Sequence, residues 1–331
     1  MDIAMAVGLL VLGFIFLVKG ADFFVDGSSS VAKKLRVPSL IIGLTIVAMG
    51  TSLPEFSVSL SAAIKGQNAL AISNVIGSNM FNLMVVLGFS ALFQPLLVSR
   101  DVFKRDYPLS IIATGMLFVF GFTSMKLDRL EGAVMFACLI IYLVVVVREA
   151  MKVRKAVSSH TADVETMQLE AEADDETNEV AKETSTLLSI IYIIGGAIAI
   201  KFGGEWVVDG AVTIAKAFGI SQNIIGLTIV AMGTSLPELV TSVVAARKGE
   251  LDMSIGNVVG SNIFNIFGVL GMSGAISSIS VISDNLIDLV ILVVFSLIVG
   301  VLGFTKRKIT KGEGVGMLVL YAIYAVYICI R

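Results

Sequence analysis

The sequence predicts an all-α membrane protein whose ten transmembrane helices form two inverted five-helix repeats. Three observations carry that expectation: a composition too apolar for a soluble domain, ten segments of spanning length, and a duplicated stretch whose copies lie an odd number of crossings apart. Of 331 residues 56% are hydrophobic and 15% charged, whereas soluble domains carry about 25% charged residues. About 20 residues cross roughly 30 Å of hydrocarbon. Windows of that length place spans near 3–26, 38–64, 69–95, 107–124, 130–148, 186–216, 222–246, 252–278, 284–304 and 312–330. Backbone groups in lipid must be satisfied within each segment, and the alternating strands of a β-barrel are absent, so the spans are helices.

The first span has no basic leader, and Lys19 and Asp22 stand where a signal peptidase would cut, so it is expected to be retained. With the N-terminus outside, the loops after the odd-numbered spans hold seventeen basic residues, among them Lys33, Lys34, Arg36, Lys306 and Arg307, against five on the other face. The positive-inside rule then puts both termini on the extracytoplasmic side of a cell (inner) membrane crossed many times. Residues 149–185 form an acidic cytoplasmic linker between a first repeat, 1–148, and a second, 186–331. A calcium-sensing role for that run is conceivable, but blocks of like charge are usually solvated and disordered. His160, the single histidine, lies in the linker with no Cys or second His near it, and reads as a surface residue. Cys138 and Cys329 fall in apolar spans at no metal or disulfide spacing, and are expected to pack. The net charge of -2 is nearly balanced; the expected partner is the lipid bilayer, with no nucleic acid.

At an offset of 183, IIGLTIVAMGTSLPE (41–55) returns unchanged at 224–238, and NVIGSNMFN (74–82) returns as NVVGSNIFN (257–265). Val25-Asp26-Gly27 likewise returns as Val208-Asp209-Gly210. Duplication across an odd number of crossings inverts the second copy, the architecture of secondary transporters with a site at the midplane. Thr51 lies 13 residues past Pro38, or about 20 Å at the helical rise, near mid-bilayer.

Thr51 to Glu55 and Ser78 to Asn82 are spaced i,i+4, as are Thr234 to Glu238 and Ser261 to Asn265, so each set shares a helix face. Pro54 and Pro237 lack the N–H that the carbonyls of Gly50 and Gly233 would accept, which predicts a kink there. Freed carbonyls at this depth are tolerated where they line a polar cavity. The gathered ligands are all oxygen: two carboxylates, six hydroxyls, two amides and main-chain carbonyls. That set suits a hard cation such as Ca2+ and not zinc or copper. Packing alone would account for the Gly and Pro, but a mid-membrane Glu costs about 2.5–3.5 kcal/mol and defaults to a functional reading. Lys19 with Asp22 and Lys201 with Glu205, spaced i,i+3 and i,i+4, read as structural ion pairs or snorkelling residues.

Paired GTSLPE and GSN-x-F-N motifs in two five-helix halves resemble the sodium/calcium exchanger family of the cation/calcium antiporter superfamily. The resemblance runs through all ten spans and is strongest at 38–95 and 221–278. It implies a central cluster of Na+ and Ca2+ sites exposed alternately as the first and sixth helices slide across the other eight. Carried over, the calcium carboxylates fall on Glu55 and Glu238, with Thr51, Ser52, Thr234 and Ser235 beside them. The carbonyls of Ala48 and Ala231 and the side chains of Ser78, Asn82, Ser261 and Asn265 match further ligand positions. Some microbial members, and the potassium-dependent branch, carry Asp where Asn265 stands, so the resemblance disfavours potassium dependence and leaves two formal charges in the pocket instead of three. No prosthetic group is implied; Na+ and Ca2+ are cargo.

The leading function is Na+/Ca2+ antiport, with Ca2+/H+ antiport on the same two glutamates as its alternative, since carboxylates out of water take up protons more readily. A calcium channel is disfavoured because one midplane site between inverted repeats serves alternating access. An enzyme is disfavoured because H-E-x-x-H and G-x-S-x-G are absent and no histidine adjoins the acids.

Overall fold

The computed structural model describes residues 2–66, 68–168, 185–220, 229 and 231–330. Among these, eight helices are long and apolar enough to cross a membrane, and a bent pair passes the same test together. They are α1 (Ile3–Leu35), the pair α2 (Ser39–Thr51) and α3 (Leu53–Ile64), α4 (Leu70–Phe93), α5 (Val102–Ser124) and α6 (Arg129–Gln168). The second half gives α7 (Thr186–Ala217), α8 (Leu236–Arg247), α9 (Leu251–Ile276), α10 (Ser283–Lys306) and α11 (Lys311–Ile330). The span expected at 222–246 begins outside the described residues and is seen as a turn, Ala231–Gly233, followed by α8.

Burial sorts the helices into two layers. α4 and α9 are 83% and 78% buried over their apolar windows, against 22% for α1 and 28% for α7. The two central helices read as small and polar residues interleaved with Ile, Met and Leu, so they pack closely on all sides. Ile76, Met80 and Met84 of α4 and Val258, Ile263 and Phe267 of α9 belong to one buried apolar cluster. Two short antiparallel strand pairs join the halves, β1 (Leu96–Leu97) with β4 (Lys308–Ile309) and β2 (Lys126–Leu127) with β3 (Ile279–Ser280).

α1 and α7 lie against each other along a seam of small residues. Ala6, Gly13, Gly20 and Gly27 of α1 face Gly210, Gly203, Gly196 and Ser189 of α7. A Cβ on Gly203 would stand 2.8 Å from the Gly13 carbonyl oxygen, and one on Gly210 2.7 Å from that of Ala6. Such main-chain approach is available only to small side chains, the device that lets helices associate where lipid supplies no hydrophobic drive.

Several expectations are corrected. α1 was expected to end near residue 26 but runs to Leu35, because the polar run after Val25 packs on protein instead of marking the headgroups; Ser28 is fully buried. Asp22 pairs with Lys248 at 3.3 Å and not with Lys19, while Lys201 does meet Glu205 at 3.8 Å. The expected linker from 149 onward continues α6 as helix to Gln168. Cys138 is half-buried as expected, whereas Cys329 is exposed. A buried carboxylate the sequence reading passed over is Asp106, held by Arg105 at 2.7 and 3.0 Å and by the Tyr142 hydroxyl at 3.1 Å. Arg105 also reaches Glu149, tying α5 to α6.

Candidate functional site

The break between α2 and α3 falls at Ser52, whose φ of -83° and ψ of 9° leave the helix, and the two axes differ by 49°. Pro54 stands in the first turn of the restarted helix, where a missing N–H leaves no bond unmade. The expected kink at Gly50 is thus a clean restart two residues later. Ser235, at φ -93° and ψ 6°, breaks the second copy in the same way before Leu236-Pro237. The restart puts Glu55 and Glu238 in the first turns of α3 and α8, where the positive end of the helix dipole favours a carboxylate.

The two breaks meet. Ser52 Oγ donates to Glu238 Oε1 at 2.8 Å, and Ser235 Oγ donates to Glu55 Oε1 at 2.9 Å. Each half therefore supplies the hydroxyl that holds the other half's carboxylate. Glu55, Glu238, Ser52 and Ser235 are all fully buried. Thr51 Oγ1 lies 3.3 Å from the Ala48 carbonyl and 3.1 Å from Asn257 Oδ1, and half-buried Thr234 lies 3.5 Å from Asn74 Oδ1.

From the central helices, Ser78 donates to Glu55 Oε1 at 3.4 Å and Ser261 to the Ala48 carbonyl at 3.4 Å. Asn82 and Asn265 are fully buried, each at a widened π-helical turn, Asn82–Val86 and Phe264–Leu270. Such turns recur at functional sites because they re-aim side chains. Ala231, the repeat counterpart of Ala48, opens the helical turn that precedes the second break. Thr51, Ser52, Ser78, Ser235 and Ser261 thus reach the carboxylates and carbonyls of the two breaks, whereas among the described residues Asn265 bonds only Asn79, and Asn82 bonds neither break.

Four residues escaped the sequence reading. Asn79 and Asn262 donate to one another's main-chain carbonyls, at 3.2 and 3.4 Å, pinning α4 to α9. Asn74 and Asn257 bond Ser59 and Ser242 at 3.0 and 2.9 Å behind the carboxylates. All four stand in the duplicated NVIGSN and NVVGSN stretches, so the repeat itself was the available signal.

Several buried oxygens remain without a hydrogen-bond partner: Oε2 of Glu55 and of Glu238, and Oδ1 of Asn82 and of Asn265. Neither carboxylate has a Lys or Arg partner among the described residues. Buried carboxylates and amide oxygens in that condition are costly unless something positive meets them. Nor do three His, Cys, Asp or Glu side chains come together among the described residues. The negative charge is that of two carboxylates within a field of neutral oxygens, chemistry suited to Ca2+.

The family model described as sodium/calcium exchanger protein matches residues 5–148 and 188–330. The sodium/calcium exchanger MaX1 of Methanosarcina acetivorans is 34% identical over 343 aligned positions, covering 96% of this chain and 97% of that one. The inner membrane protein YrbG of Escherichia coli is 35% identical over 265 positions, covering 79% and 77%. Among solved structures, the sodium-calcium exchanger NCX_Mj soaked with zero Na+ and Ca2+ superposes with a TM-score of 0.81 at 32% identity, covering 99% of this chain and 100% of that one. Matched by the family model through both of its halves, the chain belongs to the sodium/calcium exchanger family.

Proposed function

We propose that this protein is a secondary antiporter that exchanges Na+ for Ca2+ by alternating access, through ten helices in two inverted halves flanking the 149–185 segment. The observation that carries the reading is the exchange of serine bonds between Glu55 and Glu238 across the two broken helices. It makes one site out of both halves, so any relative movement of the halves acts on both carboxylates together. Calcium would take Glu55, Glu238 and the carbonyls of Ala48 and Ala231, with Thr51, Ser52, Thr234 and Ser235 around them. Ser78, Asn82, Ser261 and Asn265 add neutral oxygens for sodium. One pocket cannot hold both cargoes with full ligand sets, so competition together with gating couples the two fluxes.

The deciding measurement is calcium uptake into vesicles loaded with Na+, compared with vesicles given only a pH gradient. Uptake driven by outward Na+ supports the proposal. Uptake driven by the pH gradient alone overturns it in favour of Ca2+/H+ antiport, and uptake that cannot proceed against a calcium gradient points to a channel. Orientation has its own test. Single cysteines replacing Lys152 and Thr310 should label only from the cytoplasm, and one replacing Lys126 only from outside; labelling of all three from one face would sink the inverted arrangement.

A further inference from the structure

α1 is tethered on one face by an ion-pair latch. Lys248, in the turn between α8 and α9, places Nζ 2.8 Å from Asp26 Oδ1, 3.3 Å from Asp22 Oδ1 and 3.0 Å from the Asp22 carbonyl. Two residues on, Glu250 accepts a hydrogen bond from Ser29 of α1.

The offset of 183 supplies the charged parts a second time. Asp22 and Asp26 of α1 correspond to Glu205 and Asp209 of α7, and Lys248 corresponds to Lys65 in the turn after α3. The turns match too, since Gly66 and Gly249 follow the lysines with φ of 72° and 80°, the left-handed region a glycine allows.

Among the described residues the second set is open. Lys65 and Asp209 are exposed and form no ion pair, and Glu205 is held by its own helix neighbour Lys201 at 3.8 Å. α1 packs along α8 beside the closed latch, while α7 makes no comparable contact with α3. Between α7 and the start of α3 lies a cavity of about 100 Å³ lined by Thr51, Leu53, Pro54, Ile198 and Lys201. The open latch thus borders the face on which a cavity reaches Thr51.

We propose that Lys65 closes onto Glu205 and Asp209 in the opposite-facing state as Lys248 releases Asp22 and Asp26, so that one latch is shut in each state. The proposal rests on the alternating-access reading above. The two latches are unequal. The counterpart of Ser29 is Val212 and that of Glu250 is Gln67, so the second latch cannot form the Ser29–Glu250 bond, and the state with the Lys248 latch shut is favoured. Part-exposed ion pairs contribute little individually, so each latch tips an equilibrium without bolting it.

The test uses the full chain with Cys138→Ala and Cys329→Ala, carrying either Lys65→Cys with Asp209→Cys or Lys248→Cys with Asp26→Cys, and a short bifunctional thiol reagent. Both pairs should cross-link, and in a protein carrying all four cysteines a molecule linked at one pair should not link at the other. Adding Lys248→Gln to the Lys65→Cys, Asp209→Cys protein should raise its yield about threefold, the bias a surface ion pair can exert. Absence of the Lys65–Asp209 cross-link under every combination of Na+ and Ca2+ overturns the proposal, as does double linking within one molecule or a yield indifferent to Lys248→Gln. Cross-links are read without flux: exclusive linking in a protein that moves Ca2+ without Na+ would support the latch while defeating the exchange reading.

Discussion

Ala48–Glu55 and Ala231–Glu238 spell one octapeptide, and their serines bond opposite carboxylates at nearly equal length, 2.8 and 2.9 Å. Around that shared centre the two copies diverge. Asn265 donates to Asn79 Oδ1 at 3.2 Å, while both amide atoms of Asn82 lack a partner. Thr51 approaches Asn257 at 3.1 Å, and Thr234 approaches Asn74 only at 3.5 Å. Identical local sequence cancels local propensity, so the divergence lies in what surrounds the two copies.

Replacing each carboxylate in turn puts the comparison to its severest test. Glu55→Gln and Glu238→Gln should each reduce Na+-driven Ca2+ flux in proteoliposomes about 100-fold or more, the scale of losing one partner of a buried charged contact. Both variants should elute as folded, monodisperse protein, since a neutral amide is cheaper to bury than a carboxylate. Near-normal flux in either would show that the halves do not contribute equally.

Removing the crossed hydroxyls is milder. Ser52→Ala and Ser235→Ala should each weaken half-saturation by Ca2+ about tenfold, as expected for a hydrogen bond to a charged group, and by similar factors. A large effect at one serine alone would mean that the symmetric bonds do unequal jobs, and isothermal titration would reveal it.

Asn265→Asp should shift the half-saturating Na+ concentration by about threefold, or introduce a dependence on pH or K+, because it adds a carboxyl that needs a counter-charge or a proton. Flux measured across pH, with and without K+, gives the answer. Curves superimposable on the parent would remove Asn265 from the ion-lining set and leave Asn82 without an equivalent.

The smallest effect on transport is expected outside the site, where the halves differ outright. Asp106 sits in a buried network in the first half, and its repeat counterpart is Leu289. Asp106→Asn should cost about 1–3 kcal/mol of stability by leaving bonds to Arg105 and Tyr142 weakened, read as a lower Tm, with calcium affinity unchanged. A changed affinity would extend the site to the α5–α6 contact.

The duplication, most of the spans and the two buried carboxylates were legible because each leaves a local trace: repeated letters, apolar windows, a carboxylate where lipid makes it expensive. The bend was mislaid by two residues because a proline reports only its own missing bond, whereas Ser52 leaves the helix to reach Glu238 on a distant segment. The reciprocal Asn79–Asn262 bonds and the pairing of Asp22 with Lys248 stayed invisible for the same reason, their partners being far apart in the chain. α1 was cut short because a run containing Asp26, Ser28, Ser29 and Ser30 looks like a headgroup boundary unless its protein neighbours are known.

The seam between α1 and α7 also dictates which lengths this chain can change. Its small residues recur every seven positions on both helices, at 6, 13, 20 and 27 and at 189, 196, 203 and 210. One residue inserted within either helix turns everything beyond it by about 100°. Bulky neighbours would then swing into a gap that has no room for a Cβ. Seven inserted residues restore the phase, apart from the slight drift of the helical repeat. Within these two helices, insertions and deletions should therefore be tolerated in steps of seven, a grammar of length that the surface loops do not share.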